Sequence, residues 1–333
     1  MTQKICLGIE STAHTFGIGI VTFDGKILAN EKATYTTEKG GMIPNEVAEH
    51  HKKHCENVLK NALEKAQIKI NNIDLISYAH GPGLSPSLHV GLNFAKKLAR
   101  ENNILLVGIN HPAAHLTIGE LTTEAKDPVY LYVSGVNTQI IARAGNKLRI
   151  FGETLDIGLG NALDKFGRDS GLGFPAGPKI EELSKKGKYI DLSYAVKGMD
   201  VSFAGIVTKA TKLVKEGAKI EDVCFSFQET TFAMLAEISE RALAHIEKKE
   251  LLLIGGVAAN KRLIEMLNKM CEERNAKFYA VPLQYSGDQG AMIAWQGILE
   301  KSRANKDYDK ANIYPYERID EVDVIWWARA IFN

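Results

Sequence analysis

Apolar and polar positions along the chain fall into alternating strand-like and helix-like periods. Near the N-terminus, KICLGIESTAHTFGIGIVTFDGKILANEKA reads as strand, polar turn, strand, Asp-Gly hairpin and strand. PVYLYVSGVNTQIIARAGNKLRIFGETLDI repeats that order, with Gly145-Asn146 at the hairpin position. Helices follow each meander. From Glu46 to Ala66, Val47, Cys55, Val58, Leu59, Ala62 and Leu63 share one face. From Phe227 to Ile246 the stripe is Phe227, Leu235, Ile238, Ala242 and Ile246. Later, ELLLIGGVAANKRL predicts a buried strand entering Gly255-Gly256 and then a helix; missing Cβ atoms there would let a flat ligand lie against the backbone. VPLQYSGDQGAMIAWQGIL predicts a second loop-to-helix entry, with Asp288 close to the helix N-terminus.

Strands alternating with helices predict an α/β fold. The repeated meander predicts two similarly folded halves, 1–120 and 128–303, with a tail of 304–333 packing back on the N-terminal half. The 333 residues are enough for two domains, and 45% hydrophobic with 24% charged residues is a soluble globular composition. A core of that size folds without a disulfide or a metal. Cys6, Cys55, Cys224 and Cys271 are scattered without C-x-x-C spacing, which argues for a reducing compartment and against a cysteine metal cluster. No signal-peptide pattern and no membrane-length apolar run occur, so a cytoplasmic protein with no membrane partner is expected. Lys plus Arg is 41 against 40 for Asp plus Glu, a formal charge of +1. A protein that binds nucleic acid unaided carries a larger basic excess, so any polyanion must meet a local patch or be held partly by other chains.

The stretch NHPAAHLTIGE sets His111 and His115 four residues apart, neighbours on one helix surface. Asn110 suits an N-cap and Pro112 the first turn. Such a pair can share one metal ion; the alternative is one packed and one solvated histidine. Residues 112 and 113 are Pro and Ala, so H-E-x-x-H and its glutamate base are missing, which disfavours a metallopeptidase. The turn with Glu10, Ser11 and Thr12, and its counterpart with Ser134, Gly135, Val136, Asn137 and Thr138, offer N–H groups and hydroxyls to phosphate, or are ordinary hairpins. In duplicated halves they would face each other across a nucleotide cleft. GLGNALDKFGRDSGLGFPAGPKIEEL places Asp164, Gly177 and Glu181 around a glycine-rich loop; buried carboxylates there would grip ribose, or else complement a helix dipole. Lys96, Lys97 and Arg100, and the cluster AEHHKKH, suit a phosphate backbone or a solvated helix face.

Taken together, GIESTAHTFGIGIV, NHPAAH, LYVSG with NTQ, GETLDIGLGNALDKF, YAVKGMDVSF, GGVAANKRL and GDQGAMIAW resemble, in order and over nearly the whole chain, the archaeal and eukaryotic tRNA N6-adenosine threonylcarbamoyltransferases. These are the catalytic subunits of the KEOPS complex, once taken for O-sialoglycoprotein endopeptidases. The resemblance implies the duplicated actin/sugar-kinase/Hsp70 ATPase-like fold, two lobes around a nucleotide cleft. It implies transfer of threonylcarbamoyl from threonylcarbamoyl-AMP to N6 of the adenosine beside the anticodon, in tRNAs reading A-starting codons. Carried over, the catalytic metal ligands are His111, His115, Tyr132 and Asp288. The nucleotide residues, for ATP or threonylcarbamoyl-AMP, are Tyr132, Val133, Ser134, Gly135, Val136, Asp164, Gly177, Glu181 and Asn260. One divalent ion is implied, iron favoured over zinc. The implied partners are tRNA, a small kinase-like ATPase subunit, a dimerising subunit and an accessory tRNA-binding subunit. The sequence departs from the family pattern at Val136, where glycine is usual, and at Ala176, Ala204, Ser85, His89 and Gln289. The alternative reading is an ATP-hydrolysing actin/Hsp70-like ATPase, or a nucleotide-binding scaffold subunit with little transferase activity.

Overall fold

The computed structural model describes residues 3–37 and 42–326. The first meander is β1 (Ile5–Glu10), β2 (Thr15–Thr22) and β3 (Ile27–Thr34), followed by α1 (Pro44–Ala66), β4 (Leu75–Gly81), α2 (Ser85–Asn102), β5 (Leu105–Asn110) and α3 (His111–Thr122). The second is β6 (Val129–Val133), β7 (Thr138–Ala144) and β8 (Lys147–Glu153). Then come α4 (Leu159–Asp169), α5 (Gly177–Ser184), the short pair β9 (Val196–Lys197) and β10 (Asp200–Val201), α6 (Ala204–Lys215) and α7 (Ile220–Ile246). The chain finishes with β11 (Glu250–Ile254), α8 (Lys261–Glu273), β12 (Lys277–Ala280), the single turn α9 (Leu283–Ser286) and α10 (Gly290–Leu299).

These elements form two compact units. One holds the described residues of Met1–Leu121, Gly145–Lys147 and Asp288–Asn333; the other is Thr122–Ala144 with Leu148–Gly287. The first sheet has the order β3-β2-β1-β4-β5, the second β12-β11-β6-β7-β8. In each, an antiparallel meander continues into parallel strands: β1 pairs antiparallel with β2 and parallel with β4, and β6 pairs antiparallel with β7 and parallel with β11. Strands covered on both faces read as unbroken apolar runs, which is why every residue of β1 and of β6 is buried. In the second unit Phe166 and Phe227 stack at 5.0 Å between ring centroids, in a core that includes Phe203 and Phe232.

The first unit extends past the boundary expected from the meanders. Residues 288–303 were expected with the second half, but α10 lies across β1, β2 and β4 of the first sheet. The approach is backbone to backbone. A Cβ on Gly19 would stand 2.0 Å from Ala291 N, and one on Gly290 would stand 2.1 Å from Gly19 N. After α10 the chain stays with the same sheet. Leu106 and Asn305 form a β-bridge, Tyr314 N donates to His80 O (2.7 Å), and Tyr78 Oη donates to Asn312 O (2.9 Å). Glu317 accepts from His80 Nε2 (2.7 Å) and Asn110 Nδ2 (3.0 Å). The last part of the expected tail, 327–333, lies outside the described residues. All four cysteines are free and buried, and burial pushes Cys6 up to about 12. Among the described residues no helix is long and apolar enough to cross a membrane.

On α1 the buried stripe is Val47, His51, Cys55, Val58, Leu59 and Ala62, so one imidazole sits in an apolar seam. His51 Nε2–H donates to Ala13 O at 2.9 Å. Burial, the largest influence, outweighs that bond and pushes His51 down to about 4. An unfolded chain takes this proton near pH 6.5, whereas the folded one resists until about pH 4. The contribution is therefore complete above pH 6.5 and is lost as pH falls toward 4. Urea unfolding between pH 7 and 4.5 is expected to lose about 2 kcal/mol more in the wild type than in His51→Gln; equal losses refute the assignment. Gly19→Ala, measured the same way, is expected to cost about 2–3 kcal/mol because the methyl meets backbone rather than a movable side chain. Wild-type stability in that variant contradicts the close approach.

Candidate metal centre

β5 ends at Asn110, whose Oδ1 accepts from Ala113 N (3.1 Å) and starts α3. His111 and His115 then stand one turn apart, their ring centroids 4.7 Å from each other. Asp288 precedes the first turn of α10, where Gln289 Oε1 caps by accepting from Met292 N (3.1 Å). The two Nε2 atoms converge on one carboxylate oxygen: Asp288 Oδ1 is 3.5 Å from His111 Nε2 and 3.3 Å from His115 Nε2. One donor atom from each residue lies within 4.8 Å of the others.

The orientation of His111 is set from behind. Its Nδ1–H donates to Glu10 Oε2 at 2.9 Å, which leaves Nε2 for the cluster. Glu10 is fully buried, and its Oε1 accepts from Thr12 N (2.7 Å) and Thr12 Oγ1 (2.5 Å). The first turn was expected either to offer these groups to phosphate or to be an ordinary hairpin. In the structure the Glu10 carboxylate takes them, because it is an anion already in place.

Burial disfavours charge on all three clustered groups, and their neighbours decide the outcome. For His111 the Glu10 and Asp288 carboxylates outweigh burial and push the imidazole up to about 9. For His115 burial prevails and pushes it down. Asp288 also meets the burial penalty, yet the His115 hydrogen bond and the His111 charge hold it well below the usual carboxylate range. Two carboxylates thus surround a point that calls for positive charge. Two imidazole nitrogens and one carboxylate oxygen form a borderline-to-hard donor set that fits iron or zinc. The residues present therefore fit a divalent ion.

The remaining expected site residues belong to the second unit. Tyr132 is buried on β6. Val133 ends that strand, and the following turn closes on itself, Ser134 N donating to Asn137 O and Asn137 N to Ser134 Oγ. The Val136 side chain is 68% exposed. Asp164 and Glu181 are half-buried rather than buried, and each already accepts a backbone N–H: from Ala176 to Asp164 (2.8 Å), and from Lys261 to Glu181 (3.1 Å). Gly177 opens α5. Asn260 caps α8 through Oδ1. Gly255 has φ +96, and a Cβ there would stand 2.3 Å from Val133 O, so its bareness serves the strand beside it; only Gly256 has open space. A cavity of about 470 Å³ lies between α5, α7 and α8, lined by Glu181, Phe225, Gln228, Glu229, Lys261 and Arg262. Glu229 holds Arg262 by two bonds of 2.8 and 2.7 Å. The alignment of His111 by Glu10, and the placing of Gln228 on the cavity wall, were missed; no local spacing signals either one.

A family model described as tRNA N6-adenosine threonylcarbamoyltransferase matches residues 26–295. The chain belongs to the tRNA N6-adenosine threonylcarbamoyltransferase family. This places it among the transferases of tRNA threonylcarbamoyladenosine biosynthesis. It is 52% identical to the family member of Thermococcus sibiricus over 325 residues, 97% of this chain and 100% of that one. It is 51% identical to the member of Archaeoglobus fulgidus over 324 residues, 97% and 99% of the two chains. A probable bifunctional tRNA threonylcarbamoyladenosine biosynthesis protein of Methanocaldococcus jannaschii is 50% identical, with 97% of this chain and 60% of that protein aligned. Among solved structures, T. kodakarensis HypF superposes with a TM-score of 0.61 at 16% identity, over 90% of this chain and 47% of that one. Component A of the Acidaminococcus fermentans (R)-2-hydroxyglutaryl-CoA dehydratase gives 0.55 at 12% identity, over 90% and 100%. These likenesses establish the fold, the duplicated actin/sugar-kinase/Hsp70 ATPase-like architecture.

For this family member Glu10→Gln keeps the shape of the residue behind His111 and removes its charge. Zinc or iron(II) affinity, measured by competition with a chelator, is expected to fall about 10- to 100-fold while the fold persists. Unchanged affinity would dismiss the orienting role of Glu10.

Proposed function

We propose that the chain transfers threonylcarbamoyl from threonylcarbamoyl-AMP to N6 of the adenosine beside the anticodon, in tRNAs reading A-starting codons. It does so in the cytoplasm, within a KEOPS-type complex of a kinase-like ATPase subunit, a dimerising subunit and an accessory tRNA-binding subunit. The observation that carries the reading is the convergence of His111 and His115 on Asp288 Oδ1, in a chain of this family.

The donor is a mixed anhydride, so its carbonyl is activated and the protein need not supply a covalent nucleophile. The N6 amine attacks the carbamoyl carbon and a C–N bond forms. The bond from that carbon to the phosphate oxygen breaks, AMP leaves with the electron pair, and the N6 proton passes to solvent. An exocyclic amine is a weak nucleophile, so positioning supplies much of the acceleration. A divalent ion held by His111, His115 and Asp288 would neutralise charge developing on the carbonyl or phosphate oxygens. Glu10 keeps the His111 ring aligned, and Asp288, held ionised, supplies the oxygen ligand. Adenylate binding is assigned to the cavity between α5, α7 and α8, which Glu181 lines and whose Gln228 is held by Asn260. Iron is the favoured ion and zinc the alternative.

His115→Ala removes one of three ligands. Purified chain with threonylcarbamoyl-AMP and tRNA, with and without partner subunits, is expected to lose bound metal and at least about 100-fold in transfer rate. Transfer at the parental rate would remove the metal from the reaction. Steady ATP hydrolysis without tRNA or adenylate, and no modified adenosine, would favour the actin/Hsp70-like ATPase reading.

A further inference from the structure

A short chain of amide groups fixes the orientation of Gln228 in the wall of the second unit's cavity. At its inner end, Asn260 Oδ1 accepts from the backbone N–H groups of Arg262 (2.9 Å) and Leu263 (3.2 Å). Backbone N–H groups only donate, so that side-chain atom is the oxygen and its neighbour is the NH2. Asn260 Nδ2 then donates to Gln228 at 3.0 Å, and the receiving atom must be Oε1. The helix cap thus assigns the far end of the second amide as well. Gln228 is left with Nε2, which carries two N–H donors. The residue is 5% exposed, it lines the cavity, and among the described residues Nε2 has no hydrogen-bond partner. The residue is nearly buried while this donor faces the cavity, so its N–H groups stand ready for a ligand acceptor.

We propose that Gln228 is a specificity-determining residue of the nucleotide cavity: its locked amide presents N–H to the base and selects a ring with an unprotonated nitrogen at that point. The inference rests on the reading that this cavity takes an adenylate. Adenine offers N1, N3 and N7 as acceptors; guanine shares N3 and N7 but carries a proton on N1, so the amide separates the two purines where it meets N1. The amide cannot turn over to suit a different base, because that would set its NH2 against the Asn260 NH2. Its surroundings are also tied, Glu229 to Arg262 and Glu181 to Lys261 N.

The test is calorimetric binding, at pH 8, of AMP and its 1-deaza, 3-deaza and 7-deaza analogues to the full chain and to Gln228→Glu. Glutamate keeps an acceptor for Asn260 and removes the donors. The wild type is expected to bind one analogue about tenfold more weakly than AMP. The variant is expected to bind AMP about tenfold more weakly and to treat that analogue no worse than AMP. Equal affinity of the wild type for AMP and all three analogues, or unchanged AMP affinity in the folded variant, overturns the inference alone. If the variant fails to fold, the analogue series on the wild type decides. Absence of saturable AMP binding by the wild type overturns the nucleotide reading and this inference with it.

Discussion

A buried carboxylate oxygen within 3.5 Å of two imidazole nitrogens, with a second buried carboxylate behind one of them, is an electrostatic demand. Either anion alone would be too costly to desolvate. Together they require positive charge at one point, and the side chains can meet that in only two ways. His111 can hold a proton, which is why the carboxylates push it up to about 9, or a dication can take the position between the nitrogens and Asp288. A hydrophobic cluster of the same volume would pack as well and cost less. The arrangement is therefore a candidate cation site, and its desolvation cost argues that it is not there for stability alone.

The first sheet explains how residues 10, 111, 115 and 288 meet. β1, β4 and β5 run parallel, and Glu10 is the last residue of β1, while His111 directly follows the last residue of β5. Loops beyond the carboxyl ends of parallel strands are where open α/β sheets place their ligands. Asp288 reaches the same end because α10 lies on the sheet with no side chain between the two backbones at Gly19 and Gly290. A single methyl there would displace the helix and carry the carboxylate away from the histidines. The geometry of the His111, His115 and Asp288 cluster is thus held by the close backbone packing of Gly19 and Gly290.

Much of this was legible in the chain, for a local reason. The two meanders announce themselves through strand-length apolar runs and Asp24-Gly25 and Gly145-Asn146 turns, and both sheets contain them. The i, i+4 histidine pair is a property of one helix and needs no tertiary knowledge. What could not be read depends on partners far apart in sequence. Residues 288–303 follow the second meander but pack on the first, a choice made by glycines more than 270 positions earlier. Glu10 sits in a turn whose composition suits phosphate equally well; only the arrival of His111 decides what the carboxylate does. Asn260 was expected to face the nucleotide, yet its oxygen is used by the helix it begins. An asparagine before an apolar helix is a cap signal as much as a ligand signal.

The basic clusters bear on tRNA in the same way. Lys52, Lys97 and Arg100 had suited a phosphate backbone, but each already has an acid: Glu49 at 2.6 Å, Glu56 at 2.8 Å, and Asp309 beside Arg100. Exposed pairs of this kind are worth about 0–1 kcal/mol, so a phosphate can displace the acid. Displacement nevertheless leaves the acid nearby, and it repels the incoming strand. A row of internally matched charges therefore gives far less counterion release than the same lysines would alone. Over the whole chain the formal charge of +1 leaves little net basic excess to attract a polyanion, although Lys53 and Lys96 of the same clusters have no acid paired with them among the described residues. That matching is the physical ground on which the proposed function shares the grip on tRNA with other subunits, and leaves to this chain the candidate metal centre and the cavity beside Gln228.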